Sequence, residues 1–147
     1  MKALLIAPLL LLASCGQGGA PDIYVTDAWA RETVAGQSGT AAYMTVENRG
    51  SGDDRLLSVS AVAPVTASLH ETTTNDGVSS MRPLENGLAI PAGATVALRP
   101  GGAHVMISGL TAPLSEGETL RMTLKFERSG EKAVDFKVAP AMGAARH

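Results

Sequence analysis

The chain has one cysteine, Cys15, close to its N-terminus, and few aromatic residues, 3% of the total. A core built from it must rest on Val, Leu, Ile, Ala and Met. Charge is sparse as well, at 18% of residues with a net charge of -2. No basic stripe and no cluster of stacking aromatics is present, which excludes the usual footprint of nucleic-acid binding. No Gly-x-Ser-x-Gly elbow occurs, and no Ser or Asp is spaced as a hydrolase partner for a histidine. Beyond the N-terminal segment, no apolar stretch is long enough to cross a bilayer.

The one long apolar run, Ala3 to Leu12, follows the cationic Met1-Lys2 and leads directly into Leu12-Ala13-Ser14-Cys15. It is too short to span a membrane and reads as an export signal. The last four residues resemble a bacterial lipobox, which implies cleavage before Cys15 and attachment of lipid to its sulfur. Residues 1–14 are then a signal peptide, and 15–22 are the lipidated cysteine with a tether, since Gly16-Gln17-Gly18-Gly19-Ala20-Pro21 has few groups able to pack. The alternative is a simple secretory signal cut near Ala20. Left unlipidated, Cys15 would be a free exposed thiol in an oxidising compartment. Lipidation consumes the only thiol, so thiol redox chemistry is excluded. The expected location is membrane-anchored and facing the periplasm.

Of 147 residues, removal of fourteen leaves 133, one domain with room for a core. Alternation with period two recurs along it, and helical periodicity does not. Leu120, Met122, Leu124 and Phe126 form one face of a strand, with Arg121, Thr123, Lys125 and Glu127 on the other. Ser129-Gly130 then turns the chain into Ala133 to Val138. Ala42, Met44 and Val46 alternate likewise and end at the loop Asn48-Arg49-Gly50-Ser51-Gly52. Shorter strands are expected at 56–62, 65–72, 78–84, 88–90, 95–98 and 103–107, punctuated by Asp76-Gly77, Asn86-Gly87, Pro91-Ala92-Gly93 and Pro100-Gly101-Gly102. The expected fold is all-β, a sandwich or Greek-key barrel over residues 23–138, with 139–147 as a loose tail.

Methionine is more often core filler than ligand, and alternation sorts the two cases. Met44 and Met122 are in phase with the apolar faces of their strands and belong to the core. Met106 is out of phase. In Ala103-His104-Val105-Met106-Ile107 the apolar residues share one face, so His104 and Met106 stand side by side on the other. His70 and Met81 flank the turn signal Thr74-Asn75-Asp76-Gly77. A type I turn at Asn75-Asp76 with a two-residue loop sets His70 opposite Met81, whereas a three-residue loop with a bulge sets Glu71 there. Pro83 argues against a long ladder and leaves a loop as the alternative place for Met81. Glu71 is a candidate to orient His70, or else a solvated carboxylate.

Two histidines and two methionines form a donor set suited to copper(I), which is soft and accepts thioether sulfur and neutral imidazole. A blue-copper electron carrier needs a His2Cys set, and the domain lacks the thiolate. Two histidines are also too few for a typical copper oxidase or superoxide dismutase centre. Asp27, Arg31, Asp54 and Arg55 are expected as salt-bridge or loop-fixing groups, and Trp29 as a core or rim anchor.

The strings Asp27-Ala28-Trp29-Ala30-Arg31, Ala41-Ala42-Tyr43-Met44, Asp54-Arg55-Leu56-Leu57, Leu69-His70-Glu71, Met81-Arg82 and Pro100-Gly101-Gly102-Ala103-His104-Val105-Met106 resemble the PCuAC family of periplasmic copper chaperones. The family motif sets ten residues between a His and a Met, then about twenty-one more before His-x-Met. Here ten residues separate His70 from Met81 and twenty-two separate Met81 from His104, the extra one falling in a stretch with two turns. The resemblance implies a cupredoxin-like β-sandwich that binds one copper(I) through His70, Met81, His104 and Met106, with no enzymatic activity of its own. It also implies delivery of copper to other periplasmic proteins, such as Sco-type factors or the copper-centre subunits of terminal oxidases. A monomer is expected. Some relatives add a copper(II) site in a Met- and His-rich tail, where this chain has only Met142 and His147. The competing expectation is a metal-free β-sandwich lipoprotein that acts as a surface interaction module.

Overall fold

A computed structural model of the chain describes residues 19–140. The signal segment, Cys15 and the Met142 and His147 tail lie outside the described residues. Ten strands and no helix are present among the described residues: β1 (Ile23–Arg31), β2 (Thr40–Asn48), β3 (Asp54–Ser60), β4 (Thr66–Asn75), β5 (Val78–Pro83), β6 (Leu88–Ile90), β7 (Thr95–Leu98), β8 (Ala103–Ser108), β9 (Thr119–Phe126) and β10 (Gly130–Ala139).

The strands hydrogen-bond in the order β5-β4-β8-β2-β1-β10-β9-β3-β6, with β7 also paired to β2. All pairs are antiparallel except β1 with β10. The sheet closes over one apolar core. Met44 and Val46 of β2, Leu69 of β4, Val105 and Ile107 of β8 meet Leu56 of β3, Met122, Leu124 and Phe126 of β9 and Phe136 of β10. Met44 and Met122 are buried, as their phase in the strands requires.

Strand β1 is a structural addition to the sequence-based assignment. Its two halves are each regular, but the pairing with β2 jumps between Thr26 and Trp29, and Asp27 adopts a left-handed φ of 52°. That bulge inserts a residue and reverses the alternation, so Ile23 and Ala30 both face the core although seven residues apart. A period-two pattern cannot be read across it.

The N-terminal approach to β1 is also better ordered than its composition implies. The Asp22 N–H donates to Asn48 Oδ1, Arg49 N–H to the Asp22 carbonyl, and Gly52 N–H to the Ala20 carbonyl. Asn48 is fully buried, and its Nδ2 donates to the Gly52 and Ile90 carbonyls. Residues 19–22 of the expected tether are therefore bound to the loop after β2. Asp54 fixes the adjacent corner by accepting from the backbone N–H groups of Arg128 and Ser129. Arg55 donates to the Asn86 carbonyl.

Candidate metal centre

His104 and Met106 project from the outer face of β8, since Val105 and Ile107 between and beyond them fill the core. β4 runs alongside in antiparallel register, with His70 opposite His104 and Ser68 opposite Met106. Directly opposed residues share a face, so the two imidazoles stand together. Their ring centres are 6.2 Å apart and their planes 21° from parallel.

The β4–β5 hairpin departs from both expected registers. Asn75 pairs with Val78, so the loop is Asp76-Gly77, with positive φ of 51° and 76°, and Thr72 stands opposite Met81. Two consecutive left-handed residues make a type I′ turn, whose twist matches the strands better than the type I turn at Asn75-Asp76. Neither His70 nor Glu71 faces Met81; Pro83 faces His70, and Arg82 faces Glu71. The ladder runs through six pairs to Pro83, so Met81 lies in a strand and not on a loop. Proline is tolerated because β5 is an edge strand that pairs only with β4. Thr72 is two residues from His70, which keeps Met81 on the histidine face.

On a flat ladder Met81 would sit roughly 17 Å from Met106, two strands across and four residues along. The two nonetheless line one depression of about 360 Å³, together with His104, Thr72, Tyr43, Ala41 and Arg31. Past Glu71, β4 loses its β8 partner and continues as a two-stranded ribbon with β5. Such ribbons twist more strongly than broad sheets, and the twist carries Met81 back over the site. His70 forms the flank beside His104.

Exposure is graded across the four side chains. His104 retains 4% of its surface, His70 and Met106 are half-buried, and Met81 retains 53%. Each imidazole has one nitrogen engaged. His104 Nδ1 lies 3.0 Å from the Gly102 carbonyl, which can only accept, so Nδ1 carries the proton and Nε2 keeps its lone pair. His70 Nδ1 is hydrogen-bonded to Ser68 Oγ at 3.3 Å. These contacts orient the rings as outer partners orient metal-binding histidines. Glu71 does not share that role. Its carboxylate pairs with Arg82 at 3.2 Å on the opposite face of the hairpin. The orienting acceptor at His104 is a backbone carbonyl, which no side-chain pattern in the sequence reveals.

Trp29 and Tyr43 continue the same face on β1 and β2. Their rings pack with centres 4.8 Å apart, and the Arg31 guanidinium lies 5.4 Å from the Tyr43 ring centre. Burial pushes the Tyr43 phenol above its ordinary value, against the pull of that guanidinium. Among the described residues no three of His, Cys, Asp and Glu are grouped as a metal site. The candidate donors therefore include no carboxylate or thiolate; they are two imidazoles and two thioethers, a set that suits a soft monovalent ion.

The family model "Putative lipoprotein LpqE-like" matches residues 23–138. The chain belongs to the LpqE-like family. A relative, the putative lipoprotein Lxx21020 of Leifsonia xyli subsp. xyli, is 38% identical over 125 residues, covering 85% of this chain and 74% of its own. Among solved structures, this LpqE-like chain is similar to the copper-bound PCuAC domain from PmoF2, at 25% identity and a TM-score of 0.66, over 84% of this chain and 98% of that one. It is also similar to copper(I)-loaded DR1885 from Deinococcus radiodurans, at 28% identity and a TM-score of 0.62, over 88% and 85% of the two chains. The LpqE-like fold described above is thus the cupredoxin-like β-sandwich of PCuAC domains, as the sequence resemblance implied.

Proposed function

We propose that this protein is a copper(I) chaperone of the periplasmic face, which takes one copper(I) on His70, Met81, His104 and Met106 and passes it to other copper proteins. The observation that carries this reading is the placement of two imidazoles and two thioethers on one outer face, with His70 opposite His104 and both methionines lining the depression beside His104. The copper-bound state of the PmoF2 domain and of DR1885 supports it. Copper is cargo here, and no catalytic group is required.

The graded exposure suits transfer. His104 at the bottom of the depression would hold the ion while Met81, exposed and weakly donating, is the first ligand an acceptor can displace. An acceptor of the Sco type or an oxidase copper-centre subunit would approach over the β4–β5 arm. A lipid on Cys15 would place the anchor at the other end of the domain. β2 runs from Ala41, beside Met106, to Asn48, beside Asp22, which is about 23 Å at the usual rise per residue. The copper site would then face away from the membrane.

The deciding experiment is anaerobic titration of residues 15–147 carrying Cys15→Ser with copper(I) against a chromophoric chelator, beside the Met106→Ala variant. Tight uptake of one copper, weakened in the variant while the fold persists, supports the chaperone. If neither protein competes for copper, the metal-free interaction module is the better reading.

A further inference from the structure

The depression lined by Met81, His104 and Met106 also contains one permanent charge. Arg31, at the end of β1, lines it together with Ala41, Tyr43, His104, Met106 and Met81. The ladder explains why. Ala30 pairs with Ala42, so Arg31 falls in line with Ala41, and Ala41 is itself opposite Met106. The three residues form one row across β1, β2 and β8. Two strand spacings put the Arg31 and Met106 backbones roughly 10 Å apart. Ala41, whose side chain is a single methyl group, is the residue between them in that row.

This charge is not neutralised locally. The ion pairs of the described residues are Arg49 with Glu47, Arg55 with Glu127, Arg82 with Glu71 and Arg121 with Asp135, and none includes Arg31. Its Nε is buried without a hydrogen-bond partner. The guanidinium is held instead against the face of Tyr43, a contact that fixes its position and leaves its charge intact. Arginine cannot escape by losing its proton.

We propose that Arg31 is a specificity-determining residue whose fixed positive charge makes the site favour monovalent over divalent metal ions, and copper(I) over copper(II). The inference rests on the copper-site reading above. Imidazole by itself accepts zinc and copper(II) readily, so the donor set does not complete the discrimination. Repulsion by a fixed cation grows with the charge of the bound ion. One additional unit of charge roughly 10 Å away, the two strand spacings above, at the effective dielectric of a partly buried site, weakens binding roughly tenfold. A carboxylate in the same place would do the reverse and attract divalent ions. Removing the charge strengthens binding of every cation, and strengthens it more for a divalent one.

The test uses residues 15–147 carrying Cys15→Ser, so that no thiol competes for metal. Two quantities are measured for the wild-type site and for Arg31→Gln and Arg31→Lys: the one-electron potential of the bound copper, and the affinity for zinc(II) relative to copper(I). Arg31→Gln is expected to lower the potential by about 60 mV, the equivalent of a tenfold shift toward copper(II), and to raise relative zinc(II) affinity by a similar factor. Arg31→Lys keeps the charge and is expected to stay near wild type in both. Should the amide prevent folding, Arg31→Leu removes the charge while retaining an apolar stem and adding no metal donor, and the same two readings decide. An unchanged potential and ratio in a folded charge-free variant overturns the inference, as does a Lys variant that behaves like Gln. A wild-type site that takes up no copper(I) would instead overturn the chaperone reading, and the inference with it.

Discussion

His70 of β4 lies directly opposite His104 of β8, the only cross-strand pair in the β4–β8 ladder that is formed by two imidazoles. A metal held by both would clamp the two strands near the end of their ladder, one pair from its last. Copper(I) loading is therefore expected to raise the unfolding temperature, by an amount that grows with free copper; an excess of a thousand dissociation constants corresponds to about 4 kcal/mol. Hydrogen exchange should slow most at Leu69 and Val105, which flank the pair. Uniform protection, or none, would argue against joint ligation. Stripping the metal with a soft chelator should reverse the effect.

Met81 and Met106 differ in burial, and their alanine variants should differ in kind. Met81→Ala removes a side chain from an exposed edge strand, so stability should change by less than about 0.5 kcal/mol. Its effect should fall on copper release, which is expected to accelerate when followed by stopped-flow transfer to a chelator. Met106→Ala should lower equilibrium affinity. Equal release rates for wild type and Met81→Ala would remove Met81 from the ligand set.

Asn48 should matter to folding and not to copper. Its amide is buried and makes four hydrogen bonds, to Asp22, Gly50, Gly52 and Ile90. Asn48→Ala leaves several of those groups unsatisfied and is expected to cost about 2 kcal/mol or more in urea unfolding. Copper(I) affinity of the folded variant should be unchanged, because the site is at the other end of β2.

Asp54 gives the stability a defined pH dependence. Burial by itself would raise its carboxyl, but hydrogen bonds from the Ser129 side chain and from the backbone of Arg128, Arg55 and Ser129 outweigh that and hold it below the ordinary 3.8. A carboxyl lowered in the folded state stabilises it fully above its unfolded value and ceases to do so as pH falls through the folded one. Wild-type stability should thus decline from about pH 5 downward. Asp54→Asn should be less stable at neutral pH and decline less over the same interval. Parallel curves for the two proteins in urea titrations would count against this role.

Much of the sheet was legible along the chain because burial alternates cleanly in its long strands. In β9, Met122, Leu124 and Phe126 are buried and Arg121 and Lys125 are exposed, as the pattern requires. β1 was not legible, because the bulge at Asp27 changes phase midway. The strand at 78–84 was legible, but its register against His70 and its continuation through Pro83 were not. Turn chemistry at Asp76-Gly77 selected the register, and proline was acceptable on an edge strand that sequence alone does not identify as one.

Sequence by itself determined the donor types and placed His104 beside Met106, since alternation is a short-range property of any strand. It also kept Met44 and Met122 in the core. Only the tertiary structure decided which other groups join that pair. The β4–β8 register set His70 against His104, the twist of the β4–β5 ribbon returned Met81 to the same depression, and the row Arg31, Ala41, Met106 brought in a charge. Those placements depend on pairing between distant segments, where a shift of one residue turns every side chain to the opposite face.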